Sequence, residues 1–249
     1  MQPVRFGVAY FGVRDFDHAR DDMADMADQG IDWVLLPMTQ DDGVWETRTF
    51  RGLVDLARDA GIVPVISLWG GGEFGGEGIE GPLSVGRWVE AARATGAPIL
   101  HLDEPKNRSL GVPGVLDLWG DDASAWLTIE PYRVDLFPRD AFARPAVVGT
   151  DAYTGSVDDR VQATSRFRNR TGRLDLAWVE AFRIREGTET AVGEAVLAMA
   201  SLSPNVGVWG WKGSTGRGDL RSDRPAAVQE AVAEAIAEFR SSDPAIRAA

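Results

Sequence analysis

Short apolar runs bounded by glycine or proline alternate along this chain with stretches whose apolar residues recur every three or four positions, the patterns of buried strands and amphipathic helices. Val4–Phe11 reads as a first strand and Phe16–Gln29 as a helix that Gly30 ends. Asp32–Pro37 is a second strand, Thr49–Ala60 a helix stopped by Gly61, and Val63–Trp69 a third strand. Ser84–Thr95 gives a helix capped by Gly96, and the apolar fourth strand from Ile99 ends in two carboxylates, Asp103 and Glu104, followed by Pro105. Trp126–Tyr132, Ala146–Tyr153, Leu174–Phe182 and Val206–Trp211 are predicted as strands five to eight. Val157–Arg170, Glu189–Ser201 and Ala226–Arg240 are the helices that follow the last three. The pattern is weakest over 107–124, where Gly111, Pro113, Gly114 and Gly120 leave room for no more than a short fourth helix around Val115–Trp119.

Each repeat is about 30 residues long, the size of one strand and its crossover helix. Eight strand–helix units account for the chain, with no linker or shift of composition. The predicted fold class is therefore α/β: one domain over residues 1–249, a (β/α)8 TIM barrel with short loops and a truncated fourth helix. An open doubly wound sheet is the alternative, but Gly7 and Gly12 around Tyr10 and Phe11 do not make the glycine fingerprint expected after its first strand. At 249 residues and 44% hydrophobic content, one large core can be buried.

A formal charge of −12 disfavours nucleic acid or an anionic membrane as partner, because both select a basic face. No run of about 20 apolar residues is present, and no basic stretch leads into an apolar one at the amino terminus. A soluble chain without an export signal is expected, with the cytoplasm favoured and the oligomeric state open. The absence of cysteine rules out disulfides and thiolate chemistry. With only His18 and His101 there is no multi-histidine metal site, and no lysine stands on strand six for a Schiff base. His101 reads as a hydrogen-bonded interior histidine. No cofactor or metal is expected, although a carboxylate-only site for a hard cation stays open.

In such barrels the chemistry lies at the carboxyl ends of the strands. The candidates there are Tyr10, Gln40 and Asp41, Trp69, Asp103 and Glu104, Glu130, Asp151 and Tyr153, Glu180, and Trp209 and Trp211. Trp209 and Trp211 are expected to share one face by the period of two, with Gly207 and Gly210 leaving room for a ligand. Trp33, Trp88 and Trp126 fall on faces expected to pack. The glycine-rich stretch 70–78 lacks the lysine and hydroxyl of a nucleotide loop and reads as a loop beside the cleft. The tail of strand eight, 212–219, reads as a polar loop that could instead hold a phosphate, and Arg217, Arg221 and Arg224 could equally take a uronic acid carboxylate.

Paired carboxyls beside aromatic rings are what cleavage of a glycosidic bond requires: one protonates the leaving oxygen, the other attacks or activates water, and the rings stack on sugar faces. Asp103-Glu104-Pro105 resembles the Asn-Glu-Pro motif of the retaining glycoside hydrolase superfamily of (β/α)8 barrels, and Trp178-Val179-Glu180 resembles its strand-seven site. Trp209 resembles the strand-eight tryptophan of that superfamily, and Tyr153 its tyrosine near the nucleophile. The resemblance implies a glycosidase with a carbohydrate substrate, with Glu104 as general acid/base and Glu180 as nucleophile. Asp103, Trp69, Glu130, Asp151, Tyr153, Trp178, Trp209 and Trp211 would bind the sugar. Asp103 stands where the family has asparagine. In that respect the Asp-Glu pair is similar to substrate-assisted β-hexosaminidases, where the aspartate orients a 2-acetamido group and Glu180 would be structural. Carboxylates on strands four, five and seven also resemble the α-amylase superfamily, through Asp103 or Glu104 with Glu130 and Glu180. A barrel that binds sugar without cleaving it is the alternative outside enzymes.

Overall fold

A computed structural model describes residues 3–11, 16–38, 47–68, 82–105, 111–214 and 220–242. Eight parallel strands close in sequence order into a barrel: β1 (Arg5–Ala9), β2 (Trp33–Met38), β3 (Val63–Leu68), β4 (Ile99–Asp103), β5 (Ala125–Thr128), β6 (Val147–Asp151), β7 (Leu176–Glu180) and β8 (Asn205–Trp209). Closure runs the full length of the first and last strands, from Arg5 opposite Asn205 to Ala9 opposite Trp209. The strands read as nearly unbroken apolar runs because both of their faces are covered, one by helices and one by the barrel interior.

Among the described residues, seven helices form the outer layer: α1 (Phe16–Asp28), α2 (Thr47–Asp59), α3 (Pro82–Ala94), α4 (Gly111–Trp119), α5 (Val157–Thr171), α6 (Thr190–Ala200) and α7 (Pro225–Ser242). The predicted stops at Gly30, Gly61 and Gly96 all have φ between 76 and 80°, the left-handed turn that glycine alone adopts without strain. α4 is short, as expected, but starts four residues before the predicted Val115. Pro113 is tolerated because it lies in the first turn, where a missing N–H removes no intrahelical bond.

The expectation of eight strand–helix units needs one correction. Between β5 and β6 the described chain makes only two 3-10 turns, Val134–Leu136 and Arg139–Phe142. Pro131, Pro138 and Pro145 interrupt this segment, and each removes a donor that a longer helix would need.

Inside the barrel, inward residues of β2, β5, β7 and β8 pack an aromatic column. Trp33 meets Trp126 and Trp178 edge to face, at 5.0 and 5.4 Å between ring centres, and Trp178 meets Trp209 at 5.2 Å. Glycines on neighbouring strands admit these rings. A Cβ on Gly7 would lie 2.0 Å from the Trp33 ring, and one on Gly207 would lie 2.4 Å from Trp178. The space expected to admit a ligand at Gly207 is thus filled by the protein's own indole.

Candidate active site

The upper end of the barrel interior is polar. On β4 the inward positions are Ile99, His101 and Asp103, so the period of two that buries His101 also delivers Asp103 to the carboxyl end. His101 is fully buried, with Nδ1 2.9 Å from the Ser67 hydroxyl and Nε2 2.8 Å from that of Thr128. The Thr128 oxygen also accepts a hydrogen bond from Trp178 Nε1, at 2.8 Å. Burial pushes the imidazole down to about 3, so it is neutral. The expected role of His101 as a hydrogen-bonded interior residue is what the structure shows.

Above this layer lies a cleft of about 160 Å³ lined by Asp103, Glu104, Asp151, Tyr153, Phe182, Trp209 and Leu220. Five of these were candidates from sequence. Phe182 and Leu220 were not, although the signal for Phe182 was present: it follows Trp178 and Glu180 at two-residue intervals. Its ring packs perpendicular to Tyr153 at 5.3 Å. Phe11, two positions beyond Ala9 on β1, packs likewise against Trp209 at 5.6 Å.

Among the described residues, three that are not glycine have positive φ: Glu104 (41°), Arg183 (55°) and Lys212 (49°). All three lie just beyond a strand's carboxyl end, at the mouth of the barrel. Such conformations cost roughly 1–3 kcal/mol and concentrate at functional sites. The Glu104 N–H donates to Thr128 O at 3.0 Å, which extends the β4–β5 ladder by one residue past the strand.

The carboxyl groups are unequal. Asp151 is almost fully buried; burial, its hydrogen bond with Glu104, and the charges of Glu104, Asp103 and Glu130 together push it well above the ordinary carboxylate range. Burial thus favours the protonated form of Asp151 beside Glu104. Asp151 Oδ1 is buried without a hydrogen-bond partner. The Tyr153 phenol is also pushed well upward, by burial first and then by Asp151, Asp103, Glu104 and Glu180. Four carboxyl groups from β4, β6 and β7 thus act on one hydroxyl. Glu180 is not among the lining residues. Arg160 Nη2 on α5 approaches its Oε2 at 2.9 Å; burial raises the Glu180 carboxyl, while Arg160 and Arg183 oppose that rise.

Other candidates are placed away from the cleft. Trp178 is 2% exposed and belongs to the barrel's interior column, so it is a packing residue under the site rather than a sugar contact. β8 ends at Trp209, and Trp211 lies on the following 3-10 turn in the outer layer between sheet and helices, so the two indoles do not share a face. Glu130 stands at the rim with both oxygens engaged, Oε1 by the Tyr132 hydroxyl and Oε2 by Arg133 Nη1 at 2.8 Å. Lys212 of the strand-eight tail is paired with Asp22 on α1. Trp69, Gln40, Asp41, Arg217 and the glycine-rich stretch 70–78 lie outside the described residues. Among the described residues, no group of three or more carboxylates and histidines is arranged to hold a metal ion, and no helix is long and apolar enough to cross a membrane.

No family model and no curated protein matches the sequence. Solved structures do. GH5_18 from Streptomyces cattleya, crystallised with GlcNAc, has a TM-score of 0.69 at 16% identity over 98% of this chain and 82% of that one. GH5_18 from Bifidobacterium longum gives 0.68 at 12% identity, over 97% and 80%. A phospho-2-dehydro-3-deoxyheptonate aldolase from Thermotoga maritima gives 0.61 at 11%, over 96% and 69%. The likeness is one of fold. Glycoside hydrolases stand among the structural neighbours, as does an enzyme of different chemistry on the same barrel.

Proposed function

We propose that this protein is a glycoside hydrolase with Glu104 as general acid/base and Glu180 as nucleophile. The observation that carries the reading is one cleft lined by Asp103 and Glu104 from the end of β4, Asp151 and Tyr153 from β6 and Trp209 from β8, with Glu180 ending β7. In this reading a sugar ring lies against Trp209 with its anomeric carbon between the two glutamates. Glu104 gives a proton to the departing oxygen while the Glu180 carboxylate attacks the anomeric carbon. Glu104 then takes a proton from the water that releases the sugar. Arg160 opposes the rise that burial imposes on Glu180 and so favours the carboxylate a nucleophile needs. Asp151, whose burial favours its protonated form, stands next to Glu104. Retention of configuration belongs with a carboxyl separation of about 5–5.5 Å, and inversion with about 6.5–9.5 Å.

One observation favours a second reading. Glu180 is bound to Arg160 and is not a lining residue of the cleft, whereas Asp103, Glu104 and Asp151 all line it. In that version a substrate 2-acetamido group is the nucleophile, oriented by Asp103, with Glu104 as the acid. It suits the N-acetylglucosamine found in a structural neighbour.

The test is hydrolysis of a panel of chromogenic glycosides and oligosaccharides by the wild type, Glu104→Ala and Glu180→Ala. The first reading expects both variants to lose activity, with azide rescuing Glu180→Ala as a glycosyl azide of inverted configuration. Loss in Glu104→Ala alone supports acetamido assistance. A wild type inactive on every glycoside overturns both.

A further inference from the structure

We propose that Tyr132 is a platform for the sugar on the leaving-group side of the bond, so that the enzyme acts on linkages between two sugars. The proposal rests on Glu104 being the acid of the reaction.

The cleft is small. Its volume of about 160 Å³ is near half of the roughly 300 Å³ at which small-molecule sites begin, which suits one sugar ring. The remainder of a substrate must lie outside it, and strand order sets the direction. Trp209 ends β8, and β4 stands diametrically across an eight-strand barrel closed in sequence order. A ring on Trp209 therefore presents its glycosidic oxygen toward Glu104, and the next sugar continues past Glu104 to the β4–β5 rim. There the Glu104 N–H is bonded to Thr128, and the turn that begins two residues later carries Glu130, Pro131, Tyr132 and Arg133.

Tyr132 is the most exposed of the large hydrophobic side chains among the described residues, at 76%. It is nevertheless held. Its hydroxyl donates to Glu130 Oε1, whose other oxygen is fixed by Arg133, and the Arg133 N–H closes the turn onto Glu130 O at 2.9 Å. The charge of Glu104 reaches both Tyr132 and Arg133. An aromatic face left in solvent while its polar end is tethered loses little conformational freedom when a sugar stacks on it, which favours binding.

The test compares Tyr132→Ala, Tyr132→Trp and wild type on two kinds of probe: glycosyl fluorides of glucose, mannose and N-acetylglucosamine, which have no leaving-group sugar, and the corresponding 1,4-linked disaccharides. Tyr132→Ala is expected to lower the disaccharide-to-fluoride ratio of kcat/KM about tenfold, the scale of one aromatic contact, and Tyr132→Trp to restore it. An unchanged ratio, or equal losses on both probes, overturns the platform. So does a change of mass in light scattering with the ratio unaltered, which would make the ring a contact between copies of this chain. Wild type that hydrolyses neither probe overturns the glycosidase reading and the platform with it; active wild type with a flat ratio overturns the platform alone.

Discussion

Single side chains set the protonation pattern of the barrel, and His101 gives the most direct test. Its folded value near 3 lies below the unfolded value of 6.5. The unfolded chain therefore takes up a proton below about pH 6.5 that the native protein refuses until about pH 3, and the native state loses stability as pH falls across that window. Asp151 works in the opposite sense: its folded carboxyl is raised, so the stability it lends is complete in acid and is lost as pH rises through the folded value. Replacing His101 isolates the first effect, since the second is common to both proteins. Between pH 7 and pH 5, wild type should lose about 2 kcal/mol more than His101→Gln, measured by urea unfolding at the two pH values. At Gly207 the issue is volume. Gly207→Ala would force the new methyl into the Trp178 ring, and an overpacked core costs about 1–3 kcal/mol. The expected result is a lower thermal midpoint, together with loss of activity as Trp178 is displaced against Trp209.

At the scale of elements, α5 governs Glu180 although it carries none of the candidate catalytic groups. Its start is fixed by a capping box: the Ser156 hydroxyl accepts from the Asp159 N–H, and the Asp159 carboxylate accepts from the Ser156 N–H. The next residue, Arg160, crosses to Glu180 on β7. Arg160→Met removes a cation from beside the carboxylate, so the Glu180 value rises further. The acid limb of the kcat/KM profile, which in this reading needs Glu180 ionised, should move to higher pH, and Arg160→Lys should move it part of the way back. A limb that stays in place would show that Glu180 is not the ionised group of the reaction. Ser156→Ala should cost about 1 kcal/mol of stability through the lost cap, read in a thermal melt.

The same scale explains what was legible in the sequence. Strands buried on both faces and glycine stops after helices are local signals, so the order and number of strands could be read directly. Asp103, Asp151 and Trp209 were legible as strand-end residues, and the period of two places Asp103 on the same face as the buried His101. That rule fails once a strand ends, which is why Trp211, two residues past Trp209 but on a 3-10 turn, turns to the outer layer. Trp178 lies below the cleft for another reason: depth along the barrel axis is set by stagger between strands, and its register partner Gly207 is two residues short of the end of β8. The pairing of Glu130 with Tyr132 and Arg133 depends on a turn through Pro131 that periodicity does not describe.

For the whole molecule, closure and charge are the governing terms. A formal charge of −12 makes the compact state repel itself, so added salt should raise the thermal midpoint between about 10 mM and 0.5 M sodium chloride as screening shortens the reach of these charges. Closure depends on the last helix returning to the first strand. Arg240 near the end of α7 donates to Gly30 O at 2.6 Å and to both Asp32 oxygens at 3.2 Å, while Asp32 Oδ2 accepts from the Phe6 N–H of β1 at 2.7 Å. Phe239 packs edge-on against Phe6 at 5.6 Å, so one turn of α7 carries both the polar and the apolar parts of the seam. The Arg240 side chain is about one-third exposed, which weakens its ion pair but leaves the carbonyl bond. Arg240→Ala should cost about 1–2 kcal/mol and lower the midpoint by roughly 2–8 °C. Because β1 pairs with β8 along its whole length, the loss should appear as one earlier transition rather than two, with calorimetric and van't Hoff enthalpies still equal. A variant melting in two steps would show instead that the two ends of the chain fold as separate units, joined by this seam alone.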